Sequence, residues 1–275
     1  MSRPHGSLGY RTPVPEAIIP VTLIQRVVSF NGGRSAIISQ ENNMKQEIYT
    51  ISLSLPYRLG DVNCYLIETD TGYFLIDTGC SNKRTYLDRE LENAGCRPGN
   101  LELIVLTHGD FDHTGNAAHL RKKFGTRIAM HRDDAGMVEH GDIFWNRKKP
   151  NILVRTLARV FTPIFFRFGK AERFTPDFYI EDGYSLSEFG LDAKVLHIPG
   201  HSKGSIGILT TDGDLIGGDL ILQSDKSDQP HLNSIIDDSA VAYTSVEKLK
   251  GLNIKTVYPG HSKSFTIDML AIDEL

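Results

Sequence analysis

The chain has 275 residues, 40% of them hydrophobic and 23% charged, with a formal net charge of −4. This is the composition of a globular chain of one large or two small domains, and so weak a charge gives no electrostatic case for a nucleic-acid partner. Three cysteines without a C-x-x-C pattern (Cys64, Cys80, Cys96) argue against a disulfide framework, no apolar run is long enough to span a bilayer, and no secretory leader is read, so the expected location is cytoplasmic.

Residues 1–43 differ from the rest: Pro4, Pro13, Pro15 and Pro20 interrupt them, and Asn31-Gly32-Gly33 signals a loop. The string from Arg3 to Pro13 resembles the C-terminal end of DDE-type insertion-sequence transposases, without the acidic triad that such enzymes require. The expectation is a remnant segment ahead of a domain that runs from Met44 to the end, its removal leaving metal binding intact. The alternative is an arm that docks through Ile18, Ile19, Val21, Leu23 and Ile24.

From Ile48 to Leu55 apolar and polar residues alternate, as in a half-buried strand. Val62 to Glu68 and Tyr73 to Asp77 form a hairpin around the turn Thr69-Asp70-Thr71-Gly72. Asn82 to Ala94 has helical spacing, with Asn82 as N-cap and Gly95 as stop. The run Leu103-Ile104-Val105-Leu106 is a buried strand, Ala117 to Phe124 a helix closed by Gly125, and Arg127 to His131 a short strand. Residues 137–175 form an irregular helical insert: between Arg147 and Arg173 lie eight Lys or Arg residues and one acid, Glu172, interleaved with Phe161, Phe165, Phe166 and Phe168, and preceded by Phe144 and Trp145. Strands resume at Ala193 to Ile198, Ser205 to Thr211 and Leu215 to Gly217; a polar loop from Gln223 to Asp238, a helix from Ser239 to Leu252 and a final strand, Thr256 to Tyr258, follow.

Several of these strands end in side chains able to hold a metal. Directly after the run at 103–106 comes Thr107-His108-Gly109-Asp110-Phe111-Asp112-His113, four imidazole or carboxylate groups within six residues. Asp77 closes Leu75-Ile76-Asp77, His201 follows His197-Ile198-Pro199-Gly200, Asp219 follows Ile216-Gly217-Gly218, and His261 repeats the Pro-Gly-His form at Pro259-Gly260-His261. Pro and Gly make the tight turn that swings a ligand back over the strand ends.

In order and in form, the segments at Asp77, His108 to His113, His201, Asp219 and His261 resemble the five motifs of the metallo-β-lactamase-fold superfamily, over roughly residues 48–265. The resemblance implies an α/β (α+β) fold, a four-layer αββα sandwich, with a dinuclear centre at one edge of two sheets. It assigns His108, Asp110 and His201 to the first metal, Asp112, His113 and His261 to the second, Asp219 as the bridge, and Asp77 as the acceptor that fixes loop geometry. One position departs: the usual motif is His-x-His-x-Asp-His, and here Asp110 replaces the second histidine. The implied cofactor is a pair of divalent ions, zinc first, with iron or manganese favoured relative to an all-imidazole site because the carboxylate is a harder donor.

The implied chemistry is hydrolysis of an ester, thioester, lactone or amide-type bond of a small-molecule substrate by a metal-bridged hydroxide, with Asp112 orienting the nucleophile. No Gly-x-Ser-x-Gly elbow supports a serine hydrolase. Three alternatives within the superfamily stay open: a flavodiiron-like redox enzyme with a separate electron donor, a phosphodiesterase or nuclease, and a β-lactamase. Lactonases of the family carry Tyr three residues past the bridging Asp, where this chain has Leu222. Lys203 is a weak candidate for an anionic substrate group; His131, His140, His197 and His231 read as structural or surface residues. The insert reads as a lid, as packing or a homodimer surface, or as a peripheral membrane contact.

Overall fold

A computed structural model describes residues 47–56, 60–148, 172–224 and 228–270. The extension expected at 1–43 lies outside these residues, as do Phe161, Phe165, Phe166 and Phe168 of the insert.

The first sheet has six strands in chain order: β1 (Ile48–Ser54), β2 (Asp61–Glu68), β3 (Tyr73–Ile76), β4 (Leu101–Val105), β5 (Arg127–Met130) and β6 (Phe178–Tyr179). β1, β2 and β3 form an antiparallel meander, and β3 to β6 run parallel, so helices must cross between them. Those helices are α1 (Arg84–Ala94), α3 (Ala117–Phe124) and α4 (Arg132–His140), with the one-turn α2 (Phe111–Thr114) between β4 and α3. The second sheet takes β7 (Ala193–His197), β8 (Ile206–Thr210), β9 (Asp214–Gly218), β12 (Thr256–Pro259) and β13 (Phe265–Thr266) in the spatial order β13-β12-β9-β8-β7. The helix α5 (Ser239–Lys250) links β9 to β12, which pair in parallel.

Strand alternation decides the layers. In β2, Val62, Cys64 and Leu66 face outward onto Leu87 and Leu91 of α1 and Leu120 and Phe124 of α3, and Tyr65 and Ile67 face the other way. Tyr65 and Ile67 join Phe74, Ile76, Leu103 and Val105 in a middle layer whose second half comes from Val195, Ile206, Ile208 and Ile216 of the other sheet. The outer face of that second sheet, with Leu196, Leu209, Leu215 and Val257, is covered by Ala242, Val246 and Leu249 of α5. Three apolar interfaces therefore separate four layers, helix, sheet, sheet and helix, which is the expected αββα sandwich.

Three local expectations need correction. Asn82 does not cap α1: Ser81–Lys83 form a 3-10 turn, the cap position is Lys83 without a side-chain bond, and Asn82 Oδ1 has no partner. The stretch from Gln223 to Asp238 is not only a loop, because β11 (Pro230–Leu232) within it pairs with β10 (Ile221–Gln223) as a ribbon. Thr256–Pro259 is not the last strand, since β13 folds back on it. Each missed piece spans two or three residues, too short for periodicity to register. Among the described residues, no helix is long and apolar enough to cross a membrane.

Candidate metal centre

All the singled-out ligands follow the C-terminal end of a strand: Asp77 after β3, His108 to His113 after β4, His201 after β7, Asp219 after β9 and His261 after β12. The sandwich brings these ends to one edge, where the sheets are also tied through their backbones. Ile206 donates to Thr107 O at 2.9 Å, and Asn63 donates to Gly260 O at 2.7 Å. The Asn63 side chain adds bonds to Pro259 O and Ser262 O, and the Tyr65 hydroxyl adds one to Pro259 O.

The structure gathers the seven proposed metal ligands into interlocking groups. His108, Asp110 and His201 form one, Asp112, His113 and His261 another, and His108, His113 and Asp219 a third that spans them. Asp110 Oδ2 is 3.4 Å from His108 Nε2 and 3.0 Å from His201 Nε2. His261 Nε2 is 3.5 Å from Asp112 Oδ2 and 3.3 Å from Asp219 Oδ2, and Asp219 Oδ1 is 3.3 Å from His113 Nε2. Lys203 stands apart from these groups: its ammonium donates to Asn146 Oδ1 at the surface.

In each of the four histidines Nδ1 is engaged by the protein and Nε2 faces the centre. His113 Nδ1 donates to Asp77 Oδ2 at 2.8 Å, His201 Nδ1 to Ile235 O at 2.6 Å, and His261 Nδ1 to Asp61 O at 2.6 Å. His108 Nδ1 meets Thr107 Oγ1 at 3.0 Å, a hydroxyl that in turn donates to Asp77 Oδ2. Asp77 also accepts the Thr107 N–H, and its backbone sits in the left-handed region at φ 60°. This is how a protein fixes the tautomer that leaves Nε2 as a lone pair for a cation. Among the described residues, the buried His108 Nε2 and Asp219 Oδ1 find no hydrogen-bond partner, as donors waiting on a cation should be. The donor set therefore fits divalent metal ions.

The electrostatics agree. Burial opposes a charge on His113, but the Asp219 and Asp77 carboxylates outweigh it and hold the ring well above the ordinary histidine range. Burial likewise opposes charging His261, and Asp112 and Asp219 raise it to about 10. Burial also disfavours ionised Asp110 and Asp219, yet histidine neighbours, together with Arg147 for Asp110, hold both well below the usual carboxylate range. A cluster that so attracts positive charge binds protons or metal, one at the expense of the other.

Two side chains that the motifs did not announce shape the site. Asp134, on the first turn of α4 and fully buried, accepts Gly109 N–H at 3.0 Å, Gly204 N–H at 2.8 Å and Ser202 Oγ–H at 2.6 Å. It joins the loop of His108 and Asp110 to the loop of His201. Arg147 Nη2 donates to Asp110 Oδ2 at 2.9 Å. Asp134 carries no signal at ligand spacing, and Arg147 is one cation among the eight of the basic stretch. A further group, His131, Asp133 and His197, lies close together. Its two rings stack in parallel at 4.3 Å, which does not aim their in-plane lone pairs at one point; His131 Nδ1 caps α4 and His197 Nε2 donates to Lys203 O.

Comparison with known proteins identifies the family. The chain is similar to a probable metallo-hydrolase, YqjP, of Bacillus subtilis, at 27% identity over 80% of this chain and 73% of the relative. It is similar to the acyl-coenzyme A thioesterase MBLAC2 of Bos taurus, at 27% identity over 76% of this chain and 75% of the relative. Its fold superposes on the crystal structure of a metallo-beta-lactamase family protein, TTHA1429, from Thermus thermophilus, with a TM-score of 0.61 and 24% identity, covering 80% of this chain and 74% of that one. The family model of the metallo-beta-lactamase superfamily matches residues 57–261, a span that takes in every strand end described above. By that match this chain belongs to the metallo-β-lactamase superfamily.

Proposed function

We propose that this protein is a metal-dependent hydrolase that cleaves an activated acyl bond, a thioester first among esters, lactones and amides, in a small molecule. Superfamily membership and the metallo-hydrolase and thioesterase relatives support the hydrolase class; the thioesterase relative favours the bond. The observation that carries the reading is the convergence of four imidazole Nε2 atoms with the carboxylates of Asp110, Asp112 and Asp219.

His108, Asp110 and His201 would hold one metal ion and Asp112, His113 and His261 the other, with Asp219 facing both. Such a pair supplies an activated water at neutral pH and polarises the carbonyl under attack. Asp112 is buried less deeply than His113 or Asp219 and keeps part of its carboxylate open to solvent. In this reading it would accept a hydrogen bond from the attacking water and orient it toward the acyl carbon. Zinc is the proposed metal, and the oxygen donor of Asp110 raises iron and manganese relative to it. A cytoplasmic location belongs to the same proposal and rests on three free, buried cysteines.

The test is metal analysis of the purified protein followed by assay on thioester, lactone, β-lactam and phosphodiester substrates. Thioester turnover lost with a chelator, and lost in His113→Ala and Asp219→Ala, is expected. Turnover of a phosphodiester alone, or activity retained in both variants, overturns the reading.

A further inference from the structure

Arg147 stands at the first metal group in a way that its position in a basic stretch does not explain. Its Nη2 donates to Asp110 Oδ2 at 2.9 Å and lies 3.5 Å from His201 Nε2. These are two of the three donor atoms of the group formed by His108, Asp110 and His201. The Arg147 side chain is 14% exposed, and its buried Nε has no partner among the described residues, so the guanidinium has been drawn out of water for this contact. A surface arginine gains little from an ion pair and has no reason to be desolvated for one.

The choice of oxygen matters. Asp110 Oδ2 is the atom that faces both His108 and His201. A residue that merely steadied Asp110 from behind would take the other oxygen and leave Oδ2 to the ion. Among the described residues, no Lys or Arg side chain contacts the second group, Asp112, His113 and His261, whose neighbours include Asp77, Asp219 and the Asp61 carbonyl. The two halves of the centre are therefore unlike in charge.

We propose that Arg147 is a built-in competitor for the first metal: its guanidinium neutralises Asp110 where that ion would sit, and must yield before the ion enters. The proposal rests on the dinuclear reading of the centre. Its consequence is ordered loading, with the Asp112–His113–His261 half filled tightly and the His108–Asp110–His201 half filled weakly. A monovalent guanidinium beside a divalent ion in a site of low dielectric is repelled, and its displacement exposes a buried charge to a new environment.

The experiment is calorimetric titration of the metal-free full chain with Zn²⁺ and, separately, Mn²⁺, for the wild type, Arg147→Gln and Arg147→Lys. Two classes of site are expected in the wild type. Arg147→Gln tightens the weaker class by about tenfold or more and leaves the tighter class within about twofold, whereas Arg147→Lys, which keeps the charge, stays close to wild type. Unchanged binding in Arg147→Gln overturns the competitor role, and so does a weaker second class, since that marks Arg147 as a support for the ligand. If the wild type binds no metal at all, the dinuclear reading falls and takes this one with it; binding of two equal ions in every variant removes only the role of Arg147. Far-UV circular dichroism of each variant separates loss of fold from change of affinity.

Discussion

Asp134 and Ser202, 68 residues apart in sequence, share a buried hydrogen bond of 2.6 Å. With Gly109 and Gly204 held by the same carboxylate, one side chain sets the distance between the His108 and His201 loops. Gly204 has to be glycine for this approach, because a Cβ there would lie 2.7 Å from the Asp134 carboxylate. Asp134→Ala leaves two buried N–H groups without their acceptor, while the Ser202 hydroxyl keeps Ser205 Oγ at 2.7 Å, for an expected loss of roughly 2–4 kcal/mol of stability. Urea denaturation with an unchanged m-value checks it, and a loss near zero would show that the loops are held by other means.

The bond from His113 Nδ1 to Asp77 gives a second expectation. Asp77 has φ 60°, a region that Asn tolerates almost as well as Asp, so Asp77→Asn tests the carboxylate without disturbing the backbone. Loss of the anionic acceptor frees the His113 tautomer and lowers metal affinity by about 10- to 100-fold. Competition with a chromophoric chelator measures this; affinity equal to wild type would refute the orienting role.

The pH dependence of the metal-free protein gives a third expectation. The His261 ring, raised to about 10 by Asp112 and Asp219 against burial, stabilises the fold fully below the unfolded histidine value. That contribution is lost as pH rises from about 6.5 through the folded value. Asp219, held low by His113 and His261 despite its burial, acts oppositely: its contribution is present above the unfolded carboxylate value of about 3.9 and is lost as pH falls through the folded one. The chelated protein should therefore melt at progressively lower temperature as pH rises above about 6.5. The metal-loaded protein should do the reverse between about pH 6 and 8, where fewer protons compete for the ligands. Calorimetric melting curves with and without chelator decide it, and parallel curves would contradict it.

Gly260 supplies the fourth. A Cβ at this position would lie 2.1 Å from Asp219 Oδ1 and 2.7 Å from His113 Cε1. Gly260→Ala must displace the Asp219 carboxylate, proposed as the bridge, so the bound metal should fall well below two equivalents while far-UV circular dichroism keeps its native shape. Full occupancy measured by elemental analysis would show that the loop can shift to admit a methyl group.

Much of this was legible before any coordinates. The seven proposed ligands each follow an apolar strand, and three of them follow a Gly or Pro-Gly turn, so chemistry and local structure were written in the same few residues. Asp77, the acceptor beside His113, was among the residues singled out, but the acceptors that orient His201 and His261 were hidden for a physical reason. His201 and His261 bond to the carbonyls of Ile235 and Asp61, and a backbone carbonyl leaves no mark on residue identity. Arg147 was hidden differently, since tertiary packing and not its place in the basic stretch brings it to Asp110. Asn82 misled because its side chain suits a helix start, while the chain there winds into a 3-10 turn one step too early.

The donors of the centre are drawn from both halves of the sandwich: His108, Asp110, Asp112 and His113 hang from the first sheet, and His201, Asp219 and His261 from the second. Each group of candidate donors that spans the two sheets would make ion capture a rivet across the seam, and by thermodynamic reciprocity whatever loosens the seam would release the ions, and whatever tightens their hold would raise the stability of the fold by the same free energy.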